Sequence, residues 1–366
     1  VSRLTWWKTI ERPRHQEKTM RSALRPLVVA TTALAAAALH LPVAASAPTE
    51  LQPEDLPRGA DIRGAHIEDG DLVVGERRVD VGGEFAHLLG RSGRSWMVGT
   101  SDADGQGGRR IVRVRPDDSI KVVKRGVSLF ESVLSANGRF VVVPGRGTER
   151  ALPVRVFSAA TGRLRSERDF PHYPEIMAMD GRRVILSSWE TGVQSWNIRT
   201  NTLSVITRKP ANLLDVRNDL LAVYTKDPYR GGCVRLGRLS SPRTTLWKSC
   251  TERLTSISPG GTRMATIDLL ADGLGPGRVW EREVDGTLLN HYATNWFGAI
   301  GFESNTALLL EVNGDTLSST VRCSGGSCAN ATDPEPVQMP RLSPSRRAGL
   351  SGSVAPAAGA WRTQRP

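Results

Sequence analysis

The sequence predicts an all-β fold assembled from repeated four-stranded antiparallel units, and three observations carry that prediction. A turn residue ahead of a short apolar strand recurs at Gly93, Gly138, Gly181, Asn218, Gly261 and Asn305, at spacings of 45, 43, 37, 43 and 44 residues. A second strand, alternating apolar and polar residues, keeps step with the first. A second turn follows 19 to 24 residues after each marker. Self-similarity at such a period marks a repeat architecture, in which each unit buries its faces against its neighbours.

Taken in order, residues 1–47 read as an upstream extension followed by a secretory leader from Met20 to Ala47. Arg21 and Arg25 form its charged head, and 27–39 is an apolar run too short to span a bilayer comfortably. Ala45-Ser46-Ala47 has the small-x-small form of a cleavage site, and a cut after Ala45 fits equally. The expected location is therefore secreted, extracellular or in the cell envelope, with membrane contact only through the leader if it stays uncleaved. The Ala-rich leader and the preference for Arg over Lys suggest a bacterial chain. Residues 48–59 are rich in Pro and acids without period, so a linker is expected there. The folded body is expected over 60–340. Residues 341–366, rich in Ala, Gly, Ser and Pro, are expected to form a disordered tail.

Within the body, 71–81 reads as two short strands around Gly75-Glu76. The strands after the markers (95–98, 140–143, 184–186, 220–223, 264–267 and 307–310) are mostly continuous apolar runs, as expected of strands buried on both faces. Gly or Asn precedes them because a tight turn often needs φ > 0. Their partners (111–115, 154–157, 196–199, 234–238, 279–282 and 320–323) tend to alternate, which buries one face and wets the other. With a closing strand such as 119–123, each unit holds about four strands in about 43 residues, the dimensions of a β-propeller blade. Six repeats are clear. Residues 60–82 supply most of a further blade, expected to be completed near Val337-Gln338-Met339, and seven blades are favoured over six.

Two of the marker turns, Ser135-Ala136-Asn137-Gly138 and Ser258-Pro259-Gly260-Gly261, resemble the Ser-Pro-Asp-Gly turn of exported bacterial WD40-like and TolB-type propellers. No copy of that turn is intact, and no Trp-Asp dipeptide closes a blade. The resemblance implies the fold over 85–338 and is nearly silent on function.

Cys233 and Cys250 lie equidistant from the turn at Ser241-Pro242, and Cys323 and Cys328 from Gly325-Gly326. Each pair faces across a hairpin, so disulfides 233–250 and 323–328 are expected, consistent with an oxidising compartment. Cys-x4-Cys is loose for zinc and the nearest His to the second pair is His291, so no metal is expected. Asp102-x-Asp104-Gly105 lacks the closing acid of a calcium loop. No cofactor is expected.

The formal net charge is +12, but 1–47 and 339–366 each contribute +5, leaving +2 for 48–338. A near-neutral body does not suggest a nucleic-acid partner. Catalytic motifs are absent, and His66, His87, His172 and His291 stand isolated, so no catalytic residue is assigned.

In a four-stranded blade (strands a to d) the b–c and d–a loops share one face. The b–c loops here are long, at 101–108, 144–150, 225–232 and 271–277, and loops on a rigid scaffold carry binding residues. Lys226, Asp227, Tyr229 and Arg230 pack two cations, a carboxylate and an aromatic into five residues. Arg230 is suited to an anion and Tyr229 to stacking. The competing reading is a turn tied down by Asp227-Pro228 with a surface ion pair. Asp272, in the next b–c loop, and Trp296 complete the candidate ligand-binding set, against competing readings of a structural turn for the Asp272 loop and of a tryptophan buried between blades for Trp296. Trp189, Trp196, Trp247 and Trp280 read as buried between blades. The expected function is an exported, non-catalytic and monomeric β-propeller binding a protein or cell-envelope glycan through the b–c loop face. The alternative is an extracellular propeller lyase or hydrolase with its site in the central channel.

Overall fold

Seven antiparallel sheets follow one another along the chain in the computed structural model, which describes residues 47–337 except 103–106 and 149–150. The expected leader up to Ser46, Gln338, Met339 and the tail lie outside the described residues. Blade 1 holds His66–Glu68, Asp71–Val74 and Arg77–Asp80. Blade 2 holds Phe85–Ser92, Ser95–Ser101, Arg110–Val114 and Ile120–Arg125 as strands a to d. Blades 3 to 7 repeat that meander, from a strands Val133–Leu134, Glu175–Asp180, Ala211–Asp215, Glu252–Ile257 and Trp296–Phe302. From blade 1 to blade 7 the first strands of successive blades lie against one another, so these strands line the centre. The chain is a seven-bladed β-propeller.

The apolar runs are b strands, and their burial explains their composition. Ser95–Ser101 is buried at every position, because both faces of its sheet are covered by neighbouring blades. The core accordingly lies between blades. Leu89, Met97 and Ile111 of blade 2 meet Leu134, Val141 and Phe157 of blade 3 in one cluster. Val142 and Val156 of blade 3 meet Met179, Leu186 and Trp196 of blade 4 in the next. Each such side chain contributes about 1.5–3 kcal/mol by leaving water. The d strands form the outer edge, where Leu203 and Val205 are exposed.

The marker turns are also contacts between blades. Ser135 Oγ accepts from the Phe140 amide, and the Arg139 amide donates to Asn137 Oδ1, closing the turn on itself. Ser258 repeats the arrangement with the Arg263 amide. Gly138 has φ 68°, and a Cβ there would stand 2.3 Å from the Arg91 carbonyl of blade 2. The two Asn markers work differently from expectation. In blade 5 the positive φ falls on Asp219, while Asn218 donates to the Pro259 carbonyl of blade 6. Asn305 accepts from the Gly260 amide across the next junction.

Both disulfides, Cys233–Cys250 and Cys323–Cys328, staple c–d hairpins at positions close to or in direct register.

Two expectations at the chain ends are corrected. Blade 1 has three strands, and no C-terminal segment pairs with it among the described residues. Glu335–Pro336 instead pairs with Leu317–Ser324 of blade 7, prolonging the outer edge that Ser327–Asn330 begins. Residues 48–59 are a packed strap rather than a linker. Thr49–Glu50 pairs in parallel with the outer strand of blade 6, and Leu51 is fully buried against Tyr292 and Phe297. The Gln52 side chain accepts from the Asp315 amide. The buried Asn330 side chain donates to the carbonyls of Pro53 (2.8 Å) and Leu56 (3.0 Å) and accepts from Ser319 Oγ (2.6 Å). Its main chain bonds Pro57 and Gly59. Arg322 then holds Glu303 with two nitrogens and donates to the Ala60 and Asp61 carbonyls, while the Arg63 amide donates to Glu303. Ile62 sits against Leu309 and Ala331. The strap therefore ties the start of the propeller to its last blade.

Asn330→Ala leaves two strap carbonyls and Ser319 without their partner, and is expected to cost about 3 kcal/mol in denaturant unfolding. Burial alone would raise the Glu303 carboxyl, but bonds from Arg322 and the Arg63 amide outweigh it and hold the carboxyl below its ordinary value. Its contribution is therefore present above the ordinary glutamate range and lost as pH falls through the folded value. The stability gap between wild type and Glu303→Gln is expected to close on acidification, as followed by thermal unfolding across pH.

Candidate binding face

Antiparallel connection places the b–c and d–a loops together on one face. Among the described residues four aromatic side chains are exposed, and all four stand there. Phe130 lies between blades 2 and 3, and Tyr173 between blades 3 and 4. Trp189 sits in the b–c turn of blade 4 and Tyr229 in the b–c loop of blade 5. Leu270 and Leu274, in the b–c loop of blade 6, add exposed aliphatic surface. The other exposed large apolar residues, such as Ile120 and Leu164, are on outer strands.

Three of the four aromatics are held by a neighbour. Phe130 packs on Phe85, with centroids 5.2 Å apart, and on His87. His172 and Tyr173 both have positive φ, and the Tyr173 hydroxyl donates to the Thr148 carbonyl, which fixes the loop. Trp189 stacks on Tyr224 at 5.3 Å and 23° while remaining 53% exposed. Asn212 donates to the Tyr224 hydroxyl and accepts from the Leu254 amide, so this platform spans blades 4 to 6. Burial raises the Tyr224 phenol above its ordinary value, so it stays protonated at neutral pH.

Charge at the mouth is mixed. Glu175 begins the a strand of blade 4 and is reached by solvent while walled by protein, and burial, with the nearby Glu131 charge, raises its carboxyl. Arg253 begins the a strand region of blade 6 and donates to the Ala271 carbonyl. Among the described residues no three His, Cys, Asp or Glu side chains converge in a metal-binding group.

The sequence-predicted residues are placed as follows. Asp227 caps a single 3-10 turn, Pro228–Arg230, by accepting from the Tyr229 amide at 3.0 Å, and Gly231 ends it at φ 72°. Arg230 lies 3.6 Å from Asp227 and its side chain is 85% exposed, and Tyr229 is 73% exposed. The turn-plus-ion-pair geometry is thus present, and it presents Tyr229 and Arg230 outward. The loop base is clamped where the Thr225 amide donates to the Cys233 carbonyl and the Cys233 amide to Thr225 Oγ1, beside the 233–250 disulfide. Lys226 leads into this loop. Asp272 is exposed in the 271–277 loop. That loop lies on the start of blade 7, where the Phe297 amide donates to the Pro276 carbonyl and Gly275 approaches half-buried Trp296. No hydrogen bond or ion pair among the described residues joins 226–230 to Asp272. Parts of the 101–108 and 144–150 loops lie outside the described residues.

Of the four tryptophans read as buried, Trp196 and Trp247 are, and Trp280 is half-buried in a stack with His291. Trp189 is the exception. It stands in Ser188-Trp189-Glu190-Thr191-Gly192, a tight turn closed by the Thr191 amide on Ser188 Oγ. A hairpin turn has no sheet face on which to bury an indole, and that was the available signal.

No family model and no curated protein matches the chain. A solved structure of two prolyl endopeptidases matches over 69% of this chain and 42% of that one, at 12% identity and a TM-score of 0.50. The Myceliophteria thermophila Cps50 (Swd1) β-propeller domain matches over 70% and 88%, at 12% identity and 0.48. A chain of the mitotic checkpoint complex matches over 71% and 87%, at 11% identity and 0.48. At these identities the likeness is one of fold.

Because the folded state raises the Glu175 carboxyl, its ionisation costs stability as pH rises from the ordinary glutamate range through the folded value. Glu175→Gln is expected to melt above wild type at neutral pH, with the difference vanishing in acid, by thermal unfolding.

Proposed function

We propose that the chain is an exported, non-catalytic binding module that takes a protein partner on its b–c and d–a face. The gathering of all exposed aromatics of the described residues on that one face is the observation that carries this reading. Aromatic anchors on a rigid support bury large area at little entropic cost, which is why they dominate interface energetics. Leu270 and Leu274 favour a protein over a glycan, since an aliphatic side chain offers a sugar no stacking face. Lys226 and Arg230 at the rim suit steering of an acidic patch on the partner. Export is supported by the leader-like sequence before residue 48 and by two disulfides.

The test is capture from an envelope extract with wild type, Trp189→Ala/Tyr229→Ala and Arg230→Ala baits. A specific partner is expected to be retained by wild type and weakened about tenfold or more in the aromatic double variant. Arg230→Ala is expected to slow association and reduce its salt dependence. Equal recovery of every protein by all three baits would overturn the proposal.

A further inference from the structure

The face opposite the aromatic rim, where the a–b and c–d turns lie, carries a groove of about 710 Å³ across blades 2 to 4. Arg113, Arg139, Arg165, Arg182 and Arg199 line it, and no acidic residue does. We propose that this groove binds an acidic oligosaccharide through its sulfate or carboxylate groups.

Arg155 and Arg183, outside the groove, are paired with Glu167 and Asp180, so acids do reach arginines of these blades. None of the five groove arginines forms an ion pair among the described residues. Five guanidiniums around one concavity repel one another, and an anionic ligand relieves that repulsion. The region 48–338 carries only +2 overall, so the groove is a concentration of charge rather than a sample of it.

The repeat builds this arrangement. The marker glycine is followed directly by arginine at Gly138-Arg139 and Gly181-Arg182, so the turn that closes each blade also sets a cation at the rim. Gly138 lies on the Arg91 carbonyl with no room for a side chain, which brings blade 3 down onto blade 2 and forms the floor. Arg113 is half-buried there and donates to the Ser92 carbonyl at 3.2 Å, which pins its fork. Arg139, Arg165, Arg182 and Arg199 are exposed. A planar fork pairs with sulfate or carboxylate in two parallel bonds.

The class of ligand follows from the remaining lining. Phe140 and Ile198 are half-buried and offer an apolar strip suited to the flank of a sugar ring. No aromatic on this face is exposed among the described residues, so the stacking platform that holds single-stranded nucleic acid is missing. The volume falls in the ordinary range for a small ligand rather than a second protein.

The experiment is titration calorimetry of the protein with a heparin-derived hexasaccharide, a neutral dextran oligomer and a single-stranded oligonucleotide of matched charge. Wild type is compared with Arg139→Ala/Arg182→Ala and with Arg217→Ala, an exposed arginine on the same face outside the groove. Thermal unfolding confirms that each variant is folded. The hexasaccharide is expected to bind wild type with an affinity that falls with salt, about tenfold more weakly to the double variant, and within about twofold of wild type to Arg217→Ala. The dextran is expected not to bind. Tighter binding of the oligonucleotide overturns the ligand class. No binding of the hexasaccharide, or equal loss in both variants, overturns the groove. Neither outcome bears on Trp189 or Tyr229, which stand on the other face.

Discussion

Closure of the ring rests on Arg322 and Asn330, two side chains of blade 7 that hold the start of the chain. A ring of blades has a problem that an open sheet lacks, since the first and last blades must meet without a covalent link. Here the junction is polar and specific. Arg322 satisfies both oxygens of Glu303 and the Ala60 and Asp61 carbonyls just after the strap, and Asn330 takes two strap carbonyls. A buried ion pair gains little unless its remaining hydrogen-bonding groups are satisfied. The strap and the residues just after it supply those partners, and Leu51 and Ile62 supply the apolar contact.

From that closure the two faces follow. Each blade is a meander, so its four strands deliver alternate turns to opposite ends. One end collects the marker turns, which bear Gly or Asn and in several cases contact the neighbouring blade. Their job is spacing, and they leave arginines at their edges. The other end collects the longer loops, freed from the duty of holding blades together. There the exposed aromatics accumulate, three of them braced by Phe85, Thr148 or Tyr224.

Much of this was legible in the sequence because it is local and repeated. The b strands announce themselves as apolar runs since both their faces are covered. The cysteine pairs could be matched because a hairpin sets register by distance from its turn. The strap could not be read this way. Its composition is that of a linker, and its partners lie more than two hundred and fifty residues away at Asp315, Asn330 and Asp333. The binding face was half legible. Tyr229 and Arg230 fall in a long loop and are conspicuous, whereas Trp189 sits in a short turn and reads as core by residue type alone. The basic groove was hidden for another reason. Its arginines are 17 to 86 residues apart pairwise, scattered over three repeats, and only the ring brings them together.

Both faces exist as surfaces only if the strap closes the propeller into one cooperative unit. Native-state hydrogen exchange tests this most directly, by comparing the amides of Leu51, Gly59 and Arg63 with those of Val142 and Leu186 in the core. The closure account predicts that strap amides exchange with the free energy of global unfolding, in step with the b strands. Strap amides that exchange early and independently, while the b strands stay protected, would contradict it.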